Sequence, residues 1–92
     1  MKEDLRPSYG LASEVGRRIR LFRIQKGLSQ ERLAEFAEMH PSYIGQVERG
    51  QKNITLESLE KLTNALGVPI YRMFERLDVD EEENNIALQA YN

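Results

Sequence analysis

Between Ser13 and Leu77 the chain is cut again and again by helix start and stop signals, so no regular element between two cuts is long. Gly27 follows Lys26, Pro41 follows His40, Gly50 follows Arg49, Gly67 follows Leu66, and Pro69 stands two residues further on. Glycine just past a last helical turn and proline at a first one punctuate short helices. Apolar residues between the cuts recur at three and four, the spacing of one helical face. The pattern predicts helices over about 14–26, 30–38, 41–49, 56–66 and 69–77. Ser13, Ser29, His40 and Thr55 are the expected N-caps of the first four. No alternating strand pattern appears, and the chain reads as all-α.

Each predicted helix carries its own apolar stripe. These are Val15, Ile19 and Phe22; Leu33, Ala34 and Ala37; Ile44 and Val47; Leu56, Leu59, Leu62 and Leu66; and Ile70, Met73, Phe74 and Leu77. The alanines of the second stripe let a neighbouring helix come close. Residues 1–12, with Pro7 and Gly10, read as a flexible N-terminal arm, 13–77 as the folded domain and 78–92 as an acidic C-terminal tail. Two readings of the tail stay open. Asp80 caps a short sixth helix in which Ile86 pairs with Ala90 and Ala87 with Tyr91, or the segment frays.

Composition narrows the function. Ninety-two residues suit one small domain. With no cysteine and a single histidine, His40, disulfides and thiolate metal sites are ruled out and nucleophile triads lose most of their parts. No glycine-rich phosphate loop follows a strand. The expectation is a non-enzymatic protein with no cofactor and no metal. Apolar runs are too short for a membrane span or a secretory signal, so the expected setting is cytoplasmic, with no membrane partner.

The net charge of −2 hides an asymmetry. Residues 1–52 hold ten Lys and Arg against seven acids, whereas residues 53–92 hold three against eight. A basic half can face phosphates while the acidic half points away. The third predicted helix has only Ile44 and Val47 to bury, leaving Ser42, Tyr43, Gln46 and Arg49 outward. Such a face is suited to base edges and phosphates in the DNA major groove.

The segments VGRRIRLFR, GLSQERLAEFA, HPSYIGQVERG and NITLESLEKLTNALGVP, together Val15 to Glu75, resemble the Cro/phage-repressor (XRE) family of helix-turn-helix proteins. The length and the HPSYIGQVERG–NITLE arrangement also resemble the controller proteins of restriction–modification systems. The resemblance implies a compact five-helix, lambda-repressor-like bundle and a sequence-specific transcriptional regulator. Pro41, Ser42 and Gln46 then occupy positions facing base edges. Gln30, Tyr43, Arg49, Lys52 and Asn53 occupy positions beside the DNA backbone. Arg23 and Glu48 match a structural ion pair. Two departures stand out: Pro41 offers a base only apolar contact, and Glu38 stands in the turn where the family prefers glycine.

One recognition helix reads too few base pairs for useful selectivity, so the family's two-fold dimer and a pseudo-palindromic operator are implied. Val68, Ile70, Tyr71, Met73, Phe74 and Leu77 form the expected seam. Expected partners are double-stranded DNA and a second copy, with RNA polymerase or a small regulatory protein as further candidates. The competing reading is a protein-interaction module of the same fold, an antitoxin or adaptor, using Leu21, Ile24, Phe36 and the acidic tail. Arg17, Arg18 and Arg20 cannot all share one face of the first helix, so at most a subset meets DNA.

Overall fold

The computed structural model describes residues 10–75. Four α-helices follow one another, α1 Leu11–Gln25, α2 Gln30–Ala37, α3 Pro41–Glu48 and α4 Leu56–Leu66, and a 3-10 helix spans Ile70–Phe74. No strand occurs among the described residues. The all-α expectation therefore holds, whereas the five-helix count is not confirmed, the fifth element among the described residues being a 3-10 helix.

Local chemistry explains most boundaries. Ser29 accepts from the backbone N–H of Arg32 at the start of α2, and Thr55 accepts from that of Ser58 at the start of α4. His40 caps α3 through Nδ1, which accepts from the Ser42 N–H, and Pro41 fills the first helical position. Gly27 and Gly67 take the left-handed conformation that ends α1 and α4.

Three expectations need correction. Helix α1 starts at Leu11, behind an N-cap at Gly10 that has no side-chain bond, so Ser13 lies inside the helix together with Leu11 and Ala12. Leu56 is exposed, because the first residue of α4 precedes the turn that meets the core. The last expected helix is a single 3-10 segment, and Glu75 is already extended. So short a run cannot build a ladder of α-type bonds, whereas 3-10 geometry brings Ile70 and Met73 into line one turn apart. Leu77 and the tail from Asp78, including its sixth helix, lie outside the described residues.

The core joins Val15 and Ile19 of α1, Leu33, Ala34 and Ala37 of α2, Ile44 and Val47 of α3, and Leu59, Leu62 and Leu66 of α4, with Met73 closing one end. Helix α3 packs against both α1 and α2, so its inner face is committed on two sides. Phe22 leans on this core and receives the Arg72 guanidinium over its ring at 5.1 Å, which ties α1 to the 3-10 segment. No helix among the described residues is long and apolar enough to cross a membrane.

Candidate nucleic-acid interface

The site is built from α2, a tight reversal and α3. At the reversal Glu38 adopts φ 59° and ψ 48°, a left-handed conformation awkward for a residue with a Cβ. The Met39 N–H then bonds back to the Ala34 carbonyl at 2.8 Å, closing the end of α2. Helix α3 leaves in the new direction from its His40 cap.

What α3 buries is unusual. Alongside Ile44 and Val47 it buries Gly45 and the carboxylate of Glu48. Glu48 accepts from Arg23 twice, at 2.6 Å from Nε to Oε2 and 3.1 Å from Nη2 to Oε1, and from Gln30 Nε2 at 3.0 Å. Arg23 donates once more, from Nη1 to the Leu28 carbonyl at 2.8 Å. One carboxylate thus connects α1, the start of α2 and the end of α3. Its desolvation is offset by three donors, the condition under which a buried charge is tolerated.

Gln30 and Arg49 come together over Gly45. A methyl group at that glycine would lie 3.1 Å from Arg49 Nη1 and 3.6 Å from Gln30 Oε1. Arg49 is exposed and its Nε donates to Gln51 Oε1 at 3.2 Å. Ser42 is exposed and Gln46 half-buried, and the spacing of Ser42, Gln46 and Arg49 sets them on one side of α3. Pro41 is half-buried at the head of the helix, and Tyr43, also half-buried, packs on the core. Lys52 and Asn53 are exposed in the turn that follows.

The arginines of α1 divide. Arg17 and Arg20 are exposed, but Arg18 is 6% exposed and faces away from solvent. Burial lowers its pKa from the ordinary arginine value, and Glu75 and Glu14 oppose that shift. Its Nε and Nη2 have no hydrogen-bond partner among the described residues.

Of the expected seam residues, Ile70, Tyr71 and Phe74 are exposed and Val68 is half-buried. Met73 needs correction: it is fully buried in the chain's own core, so it serves the fold instead of the surface. Leu21 and Ile24 are about half exposed, as is Phe36. The Arg32 guanidinium lies over the Phe36 ring at 4.9 Å.

Sequence reasoning missed Gly16. A Cβ there would run into the carbonyl oxygen of Val47 and lie 2.9 Å from that of Glu48, so α1 and α3 touch backbone to backbone. A glycine inside an otherwise good helix was the available signal.

A short, capped helix carrying outward polar groups and locked from behind on two neighbours defines a helix-turn-helix protein. The helix-turn-helix family model matches residues 19–73, and the chain belongs to that family. It is similar to the control protein C.BamHI of Bacillus amyloliquefaciens, 43% identical over 54 residues that cover 58% of this chain and 67% of that protein. The crystal structure of the restriction–modification controller protein C.AhdI from Aeromonas hydrophila superposes with a TM-score of 0.67 at 43% identity, covering 68% of this chain and 96% of that one. The controller protein C.Esp1396I, solved as a tetramer in complex with its natural 35 base-pair operator, superposes with a TM-score of 0.65 at 36% identity. That match covers 70% of this chain and 84% of the other.

Proposed function

We propose that this chain is a sequence-specific DNA-binding transcriptional regulator that acts as a homodimer on a pseudo-palindromic operator. The observation that carries the reading is α3 itself: Ser42, Gln46 and Arg49 outward, and Glu48 held from behind by Arg23 and Gln30. Gln30, Tyr43, Arg49, Lys52 and Asn53 serve the DNA backbone, and Pro41, Ser42 and Gln46 the base edges. Phosphate contacts supply salt-dependent affinity, and the base-facing groups supply choice of sequence.

Exposed Ile70, Tyr71 and Phe74 support the dimer seam, with Val68 beside them. The similarity to C.Esp1396I, a tetramer on its operator, supports both DNA as partner and assembly of several copies. The regulator works by occupying its site, blocking RNA polymerase or touching it where the site lies just upstream. A cytoplasmic setting and the lack of any enzymatic role belong to the same reading.

Selection of bound duplexes from a random library at stated salt tests it. An enriched inverted repeat is expected, its halves about one helical turn apart. Recovery of no enriched sequence overturns the reading.

A further inference from the structure

His40 does more than start α3. Its Nδ1 lies 3.1 Å from the backbone nitrogen of Ser42 and 2.8 Å from the Ser42 hydroxyl oxygen. The backbone N–H can only donate, so Nδ1 must present its lone pair and the ring proton sits on Nε2. A bare Nδ1 cannot donate to the hydroxyl, so in the bond between them the hydroxyl donates and shares the one Nδ1 lone pair with the backbone N–H. The single proton of Ser42 Oγ is thereby committed inward, and what the exposed oxygen offers outward is lone pairs.

We infer that His40 is a positioning residue for specificity: it fixes the Ser42 hydroxyl as an acceptor, so that Ser42 reads an exocyclic amino donor in the major groove. That donor is the N6 amino group of adenine or the N4 amino group of cytosine. An unconstrained serine accepts or donates equally well and distinguishes bases poorly. The inference rests on the regulator reading and adds to it a residue that touches no base.

The test uses the full chain and the enriched operator. Ser42→Ala identifies the base pair read by Ser42, as the pair where the variant's preference relaxes. N6-methyladenine or N4-methylcytosine at that pair masks one amino hydrogen, and comparing the two modified duplexes distinguishes the two bases. For the unaltered protein we expect about tenfold weaker binding to the modified duplex, roughly the size of one lost base contact. His40→Gly keeps most of the capping preference but removes the acceptor. The freed hydroxyl can still accept from the amino group but can now also donate, so this variant should tolerate an acceptor at that position, thymine O4 or guanine O6, several-fold better than the unaltered protein does, with its salt dependence unchanged. His40→Asn restores an acceptor at the cap and should restore the discrimination.

A His40→Gly variant that rejects those acceptor bases as strongly as the unaltered protein overturns the inference and leaves the regulator reading standing. So does an unaltered protein indifferent to the amino modification, or a Ser42→Ala variant with unchanged preference. Failure to enrich any operator overturns both.

Discussion

Nε of Arg23 lies 2.6 Å from Oε2 of Glu48, twenty-five residues along the chain, and this pair fastens the last turn of α3 to α1. The Glu48 side chain is 2% exposed and that of Arg23 11%. Truncating Glu48 would leave a guanidinium largely dry and unpaired. Glu48→Ala is expected to cost about 3 kcal/mol, the usual penalty for breaking a buried pair from one side. Gln46→Ala, which removes a half-buried surface group, should cost under about 1 kcal/mol. Urea unfolding of the two variants decides the matter, and coincident midpoints would remove Glu48 from its structural role.

Gly16 makes a sharper stability prediction. Gly16→Ala places a methyl group against the backbone of Val47 and Glu48, where nothing flexible can give way. The expected loss is about 3 kcal/mol, at the upper end for overpacking. Gly27→Ala is the control, because Gly27 has φ +72° but open space around its Cβ position. Only the backbone strain applies there, at about 1–2 kcal/mol. Thermal melts in which the control is the more damaged of the two would show that close approach is not what Gly16 provides.

Glu38 offers a gain. Its left-handed conformation costs about 1–2 kcal/mol for a residue with a Cβ. Glycine removes that cost and adds about 0.5–1 kcal/mol of unfolded-chain entropy. Glu38→Gly should therefore stabilise the fold by about 0.5–1 kcal/mol, seen as a higher melting temperature. An unchanged or lower one refutes the idea of stored strain in the reversal.

On DNA, Arg49 and Gln46 should separate. Arg49→Gln is expected to weaken binding to every duplex by a similar factor and to reduce the salt slope by about 1. Gln46→Ala should leave the salt slope alone and alter the preferred base at one position, a change of about 1–3 kcal/mol for a bidentate contact. Titrations at several salt concentrations distinguish the two. Equal behaviour of the variants would mean that α3 does not divide its work in this way.

What could be read from the residues alone was whatever depends on near neighbours. Ser29, His40 and Thr55 bond to N–H groups two or three residues away, so their caps are visible in the letters. Ser13 misled because the helix starts earlier, and Leu56 because a stripe does not say where the core stops. The 3-10 segment escaped for a related reason: Ile70 and Met73 are three apart, a spacing common to both helix types. Long-range contacts were harder. The positions of Arg23 and Glu48 came from family resemblance, and no local pattern states that they meet. Gly16 and the burial of Arg18 depend on what another element places opposite them, which one chain's periodicity does not encode.

The contact at Gly16 also bears on how such a protein diversifies. Where two main chains abut, there is no side chain to trim or enlarge, so the pitch of the reading helix is set by atomic radii. On the proposed reading, new target preferences would then arise by exchanging outward groups such as Ser42 or Gln46 on a barrel whose bearing stays put. Lineages built on this seat should differ in vocabulary far more than in posture.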